Sequence, residues 1–280
     1  MPEITAANVG KLREMTNAGL MDCKKALTEA AGDLAAAVDI LRKRGVAQAA
    51  KKAGREAREG AVAQHIAPGG KLGVLAEVNC ETDFVAKNET FKALCDQVAR
   101  TLAENPAADL ESLRVQAVAK IGENILIARH ERIEVHGAGA VAAYIHTGGK
   151  VGVLVEVGAS GDDATGKDAF KQLLKDITLQ IAAASPVAVS REAVPAETVA
   201  KEREIALQSD RLKGKPPQAL EKIVQGVLDK YFQTYCLLEQ GFVKNPELTV
   251  KAHVAAVAKE LGTEITIRRF LRWQVGEVAV

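Results

Sequence analysis

One stretch of this chain occurs twice, without a gap, at an offset of 79 residues. Residues Gly60 to Val78 read GAVAQHIAPGGKLGVLAEV and residues Gly139 to Val157 read GAVAAYIHTGGKVGVLVEV, identical at 13 of 19 positions. Each copy alternates apolar residues on either side of a Gly-Gly turn, which predicts a β-hairpin. The match resumes at Phe91-Lys92 and Phe170-Lys171. From there Phe91, Leu94, Cys95, Val98 and Leu102 recur at helical spacing, as do Phe170, Leu173, Leu174, Ile177 and Ile181, so a helix follows each hairpin. A further helical stretch is predicted over 109–120, and the β-branched run from Ile125 to Val135 predicts a strand. The unit is therefore hairpin, helix, strand: a small antiparallel sheet with helices on one face, in the α+β class. Aromatic residues are only 4% of the chain, too few for either copy to close a core alone. The two copies are expected to pack together.

The closing strand of the second copy is displaced. GENILIAR from Gly122 has a cousin in GTEITIRR from Gly262, at an offset of 140 instead of 79. The second copy thus holds about 61 further residues, largely between Pro186 and Gly241. They predict an antiparallel helical hairpin: one helix over 195–211, a stop at Lys213-Gly214-Lys215-Pro216-Pro217, and another helix over 218–238. Leu220, Ile223, Val227 and Leu228 share a face of the second helix. The facing stripe on the first is thin, so the pair is expected to stand off the core as an arm.

Residues 1–54 read as a compact bundle of three short helices. Thr5 can cap the first, which carries Val9, Leu12 and Met15. A turn follows at Asn17-Ala18-Gly19. Met21 to Ala30 forms the second helix, stopped by Gly32, and Asp33 can cap the third, with Leu34, Val38 and Leu41 inward. The expected units are then 1–54, a first core repeat over 55–138, a second over 139–189 and 241–280, and the arm over 190–240.

Composition narrows the function. The 48% apolar content suits packed cores. A net charge of +1 argues against a protein that lives on phosphate contacts, so direct nucleic-acid binding is not favoured. One local exception is the stretch from Arg42 to Arg58, with seven Lys or Arg against the single acid Glu56. It is either a solvated linker helix or a contact for RNA or an acidic partner. No apolar run is long enough to span a membrane and no signal pattern opens the chain, so the reading is a soluble cytoplasmic protein. Cys23, Cys80, Cys95 and Cys236 lack CxxC spacing, and the five histidines form no HExxH motif or cluster. No metal site, cofactor or catalytic residue is expected. Gly69-Gly70-Lys71 and Gly148-Gly149-Lys150 lack the glycine and the hydroxyl residue of a phosphate loop, and are hairpin turns.

The copies part company after the hairpin. The first has Glu81-Thr82-Asp83-Phe84-Val85 where the second has Ser160-Gly161-Asp162-Asp163-Ala164. On spacing alone, Phe84 would be core, Asp83 would cap the next helix and Thr82 would be a turn residue. The second copy makes the same connection without a phenylalanine, so the ring is not needed by the scaffold. Buried in a partner instead, it is worth roughly 1.5–3 kcal/mol.

These residues resemble the elongation factor Ts family. Leu12 to Leu27, reading LREMTNAGLMDCKKAL, is similar to the family's N-terminal signature, and Glu77 to Lys87, reading EVNCETDFVAK, to its second. Lys120 to Ile125, reading KIGENI, is a third, shorter match. The similarity spans essentially the whole chain, arm included. Leu20 stands where many members carry Met, and the chain stops at Val280 where some members continue with a further helix. The resemblance implies a guanine-nucleotide exchange factor that binds elongation factor Tu, both GDP-bound and nucleotide-free. The N-terminal bundle would be ubiquitin-associated-like and grip the GTPase domain through Arg13, Leu20, Met21 and Lys24. Thr82, Asp83, Phe84 and Val85 would form a tip that wedges between helices near the partner's magnesium site. Ile121, Gly122 and His146 would supply core contacts. Losing about 4 kcal/mol of hold on Mg²⁺ and the GDP phosphates speeds release roughly a thousandfold. Coupling is reciprocal, so nucleotide rebinding would eject the exchange factor. The reading from another class is an RNA-binding accessory protein of the translation machinery that uses Arg42 to Arg58. An enzyme is not supported. For the arm, a homodimer contact, a weak partner contact and neither all stay open.

Overall fold

The structure is a computed structural model and describes residues 4–16, 18–208 and 216–277. Its frame is the repeat. Strands β1 (Glu59–Ile66), β2 (Leu72–Cys80) and β3 (Ile125–Glu134) form one antiparallel sheet in the order β1-β2-β3. Strands β4 (Gly139–His146), β5 (Val151–Ala159) and β8 (Ile265–Gln274) form a second in the order β4-β5-β8. Register is the same in both: Gly60 lies opposite Asn79 and Gly139 opposite Gly158, and each central strand bulges after its glutamate, Glu77 or Glu156.

The sheets pack back to back, with helices outside. Between them lie Val62, Leu75, Ile133, Val141 and Leu154, with Leu271 and Trp273 at the margin. Two glycines from the repeated motif make this approach possible. A Cβ on Gly73 would sit 2.8 Å from Leu154 Cδ1, and one on Gly152 would sit 2.3 Å from Val62 Cγ1. Each glycine thus admits a branched side chain from the other copy, as a pseudo-twofold requires. Outside the first sheet, α5 (Glu89–Glu104) packs Phe91, Leu94, Cys95, Val98 and Leu102 onto the strands; outside the second, α7 (Asp168–Ala184) does the same with Phe170, Leu173, Leu174, Ile177 and Ile181.

Each sheet also has a second helix, α6 (Leu110–Ile121) or α10 (Val250–Leu261), closed by a left-handed glycine, Gly122 at φ +88° or Gly262 at φ +65°. Helix α10 and the small hairpin β6 (Gly241–Phe242) and β7 (Asn245–Thr249) are additions to the expected layout. The sequences also mark the two helices as equivalent: Val115 to Lys120 reads VQAVAK and Val254 to Lys259 reads VAAVAK, identical at five of six positions at an offset of 139.

The N-terminal helices are α1 (Ala6–Thr16), α2 (Leu20–Glu29) and α3 (Leu34–Lys52). Val9, Leu12, Cys23, Ala26, Leu27 and Ala37 make a core of their own. Asp33 caps α3, accepting from the backbone N–H of Ala35 and Ala36. The expectation of three short helices is corrected here, since α3 runs 19 residues and takes in much of the basic stretch. It continues because its far half has something to pack against: at Gly45 it meets Val115 and Ala119 of α6, and Ala49 joins the first core. The bundle is therefore fastened to the first sheet layer.

The inserted arm consists of α8 (Ala196–Leu207) and α9 (Pro217–Tyr235). Its own small core holds Val194, Ala206, Val224, Leu228 and Phe232, with Cys236 at the base. On α8 only Ala206 is fully buried, the thin stripe that was expected. The predicted turn at Asn17, the end of the first arm helix near Arg211 and the stop at 213–215 lie outside the described residues. Among the described residues, no helix is long and apolar enough to cross a membrane, and no group of His, Cys, Asp or Glu could hold a metal ion.

Candidate functional site

At the end of β2 the first copy turns outward into α4 (Asp83–Ala86), one turn of helix. Thr82 caps it, its hydroxyl accepting from Val85 N at 3.3 Å, and Asn88 caps α5 beyond it. Asp83 is therefore not the cap of the long helix. Ala86 is buried and Val85 half-buried against the first core, which fixes the short turn from below. Phe84 faces the other way and is 81% exposed, the most exposed large apolar side chain among the described residues. Its ring serves no core. Its counterpart at an offset of 79, Asp163, is also exposed, which is why that copy needs no apolar residue there.

Asp83 sits beside the ring and forms an ion pair with Lys87 at 2.7 Å. The bond from the Lys87 ammonium holds the Asp83 carboxyl below its ordinary value, with a smaller pull from Lys150. The tip thus presents a carboxylate and an aromatic ring side by side, both open to solvent.

The root of the tip is firmly held. Glu123, just past the left-handed cap at Gly122, accepts from the backbone N–H of Glu81 and of Thr82 at 3.0 Å each and from the Thr82 hydroxyl at 2.6 Å. In return the Glu81 carboxylate accepts from the backbone N–H of Asn124 at 2.6 Å. Glu81 was grouped with the tip in the sequence, and the structure moves it to the root. Neither Glu123 nor Asn124 was singled out, although both lie inside the KIGENI stretch.

Of the other candidates, Ile121 packs half-buried against the first core at the end of α6, and Gly122 forms the cap that aims Glu123. Gly122 O accepts from Lys52 Nζ of α3. His146 is exposed at the end of β4, its Nδ1 2.9 Å from the Tyr144 hydroxyl. The hairpin turn that follows it lies over β1, where a Cβ on Gly149 would meet Ala61, and Lys150 pairs with Glu59 directly across from Cys80. His146 is thereby at the same end of the sheets as the tip. On the N-terminal bundle, Arg13 and Lys24 are exposed, and Leu20 and Met21 expose 54% and 61% of their surface beside Met15 at 58%. None of these three apolar side chains belongs to a buried core among the described residues.

Four of the seven cations of the basic stretch have partners, and all but Lys52 stay exposed. Arg44 pairs with Glu29, Arg58 with Glu56 and Arg55 with Glu81, and Lys52 reaches Gly122 O.

A family model described as Elongation factor TS matches residues 81–277. An elongation factor Ts of Symbiobacterium thermophilum is 49% identical over 99% of this chain and 93% of its own length. The same-named proteins of Trichlorobacter lovleyi and Bdellovibrio bacteriovorus are 44% and 43% identical, each over 98% of this chain and 93% and 92% of their own lengths. The chain belongs to the elongation factor Ts family, and so to the elongation factors of protein biosynthesis.

Proposed function

We propose that this chain binds elongation factor Tu with GDP bound, promotes release of the nucleotide and allows GTP to load. The observation that carries the reading is Phe84, a fully presented aromatic ring on a one-turn helix whose root is clamped. A ring that stabilises no internal core costs solubility unless a partner buries it, and burial there is worth roughly 1.5–3 kcal/mol.

The chain makes and breaks no bond in this mechanism. The apolar patch of Leu20 and Met21, flanked by Arg13 and Lys24, grips the GTPase domain. The tip, Thr82 to Val85, enters near the magnesium site, where the Phe84 ring displaces packed side chains and the Asp83 carboxylate competes for donors that hold Mg²⁺ and phosphate. Ile121, Gly122 and His146 add contacts from the same end of the sheets. The site binds the nucleotide-free partner best, and by reciprocity incoming nucleotide and Mg²⁺ weaken the complex.

Stopped-flow release of labelled GDP from a bacterial elongation factor Tu tests this. The native chain should speed release by orders of magnitude, with excess Mg²⁺ opposing it. No acceleration at any concentration would contradict the reading.

A further inference from the structure

The tip and the N-terminal bundle are joined by a continuous polar brace. On the tip side, Glu123 receives three hydrogen bonds from the root, at 3.0, 3.0 and 2.6 Å. At the turn, the fully buried Asn124 gives its backbone N–H to Glu81 at 2.6 Å and its side-chain amide to Arg55 O at 2.7 Å. On the bundle side, Lys52 reaches Gly122 O, and Arg55, just past the end of α3, lies 3.5 Å from Glu81. Every member therefore bonds across two of three segments: the end of α3, the turn after α6, and the tip root.

The second copy provides an internal control. At the equivalent turn Ser160 takes the place of Glu81 and Thr263 that of Glu123, and the two hydroxyls meet at 2.7 Å. Glu264 N–H donates to Ser160 Oγ at 3.1 Å, as Asn124 N–H donates to Glu81. The loop geometry is thus achieved with a neutral pair of hydroxyls and, among the described residues, no link to a further helix. Two carboxylates at the decorated copy are more than the turn requires. Hydrogen bonds to ionised acceptors are roughly twice as strong as neutral ones and hold direction better.

We propose that Glu123, with Glu81, Asn124 and Arg55, is a positioning device that fixes the tip relative to the N-terminal bundle, so that docking of the bundle delivers Phe84 at a set depth and angle. The proposal rests on the exchange reading above. These residues do not touch the nucleotide or its metal, and act through Thr82 and Phe84. A rigid wedge transmits binding into displacement of the nucleotide site, whereas a loosely hinged one binds and yields. The signature of the brace is a lower maximal rate of GDP release with binding largely kept.

The test uses the full-length chain as native protein, Glu123→Ala and Glu123→Gln, each alone and combined with Phe84→Ala. Three quantities are read: the maximal GDP-release rate at saturation, the half-saturating concentration, and hydrogen exchange at the Glu81 and Thr82 amides. Glu123→Ala should lower the maximal rate by about tenfold or more, as misplacement of a working group does. It should change the half-saturating concentration by less than about threefold, by the same reasoning, and speed exchange at both amides. Glu123→Gln keeps an acceptor oxygen and should recover part of the rate. In the Phe84→Ala background, Glu123→Ala should cost little more, since the wedge is already gone. An effect that adds in full to that of Phe84→Ala, or a native maximal rate in Glu123→Ala, would overturn the proposal. Should Glu123→Ala fail to fold, Glu81→Ala severs only the Asn124 and Arg55 links and must show the same split in smaller size. If amide exchange quickens as expected while the native chain itself speeds no release, the exchange reading is what has failed.

Discussion

Phe84 was legible in the sequence by subtraction, because a near-identical copy of the scaffold makes the same turn without it. Its 81% exposure bears out that logic over the spacing argument, which would have buried it. What subtraction could not supply was the grip on the tip: Glu123 lies 42 residues from Glu81, and a contact at that separation leaves no periodicity to read. All four cysteines, which lack CxxC spacing, are free and buried. Burial pushes the Cys80 thiol up to about 12, with the nearby Glu123 charge adding to it, and the Cys236 thiol up to about 11; Cys95 is raised further still. Native protein at pH 8 should therefore leave these three unlabelled by iodoacetamide over a period in which denatured protein labels fully, since only the thiolate reacts. Rapid native labelling of Cys80, read by mass spectrometry, would contradict the packing around the tip root.

Among the elements, the two hairpins and their helices followed from alternation and helical spacing, whereas the length of α3 did not. A helix ends where its caps and packing end, and the packing that prolongs α3 comes from α6, 70 residues on at Gly45 and Val115. The sheet interface makes a sharper claim. Gly152→Val places a branched side chain where even a Cβ lies 2.3 Å from Val62. It should cost about 1–3 kcal/mol in urea unfolding, as overpacked cores do, and an unchanged midpoint would argue against back-to-back sheets. The buried Glu156 bonds Arg268 at 2.9 Å and Arg269 at 2.8 Å. Burial alone would raise its carboxyl, but the two guanidinium bonds outweigh that and hold it below the ordinary value. A depressed folded-state value means stability that is fully present above the ordinary carboxylate range and lost as pH falls through the folded value. Glu156→Gln should therefore be less stable at pH 7 by about 1–3 kcal/mol. The gap should close as the pH drops below roughly 4. A gap that widened in acid would mean that the sign of the interaction is wrong.

At the scale of the molecule, a duplicated sandwich gives a rigid body, and two appendages give it separate surfaces at defined places. The duplication itself was plain from the sequence, and so was the arm, since an offset that jumps from 79 to 140 can only mean an insertion. The back-to-back layering was not, because alternation says which residues are buried and never against which partner. The two surfaces should divide their labour. Met21→Ala trims the exposed bundle patch and should raise the half-saturating concentration by about fivefold, the effect of a lost apolar contact of about 1 kcal/mol, with the maximal GDP-release rate nearly unchanged. Phe84→Ala should do the reverse.

That reversal is the direct test of the central claim. Labelled GDP release from elongation factor Tu would be followed by stopped flow at saturating native protein and at saturating Phe84→Ala, with melting curves of both chains. The account predicts a maximal rate at least about tenfold lower for the variant, the loss of roughly 1.4 kcal/mol or more of wedge action, at an unchanged melting temperature, because an exposed ring supports no core. A variant that releases GDP as fast as the native chain, or that melts several degrees lower, would contradict it.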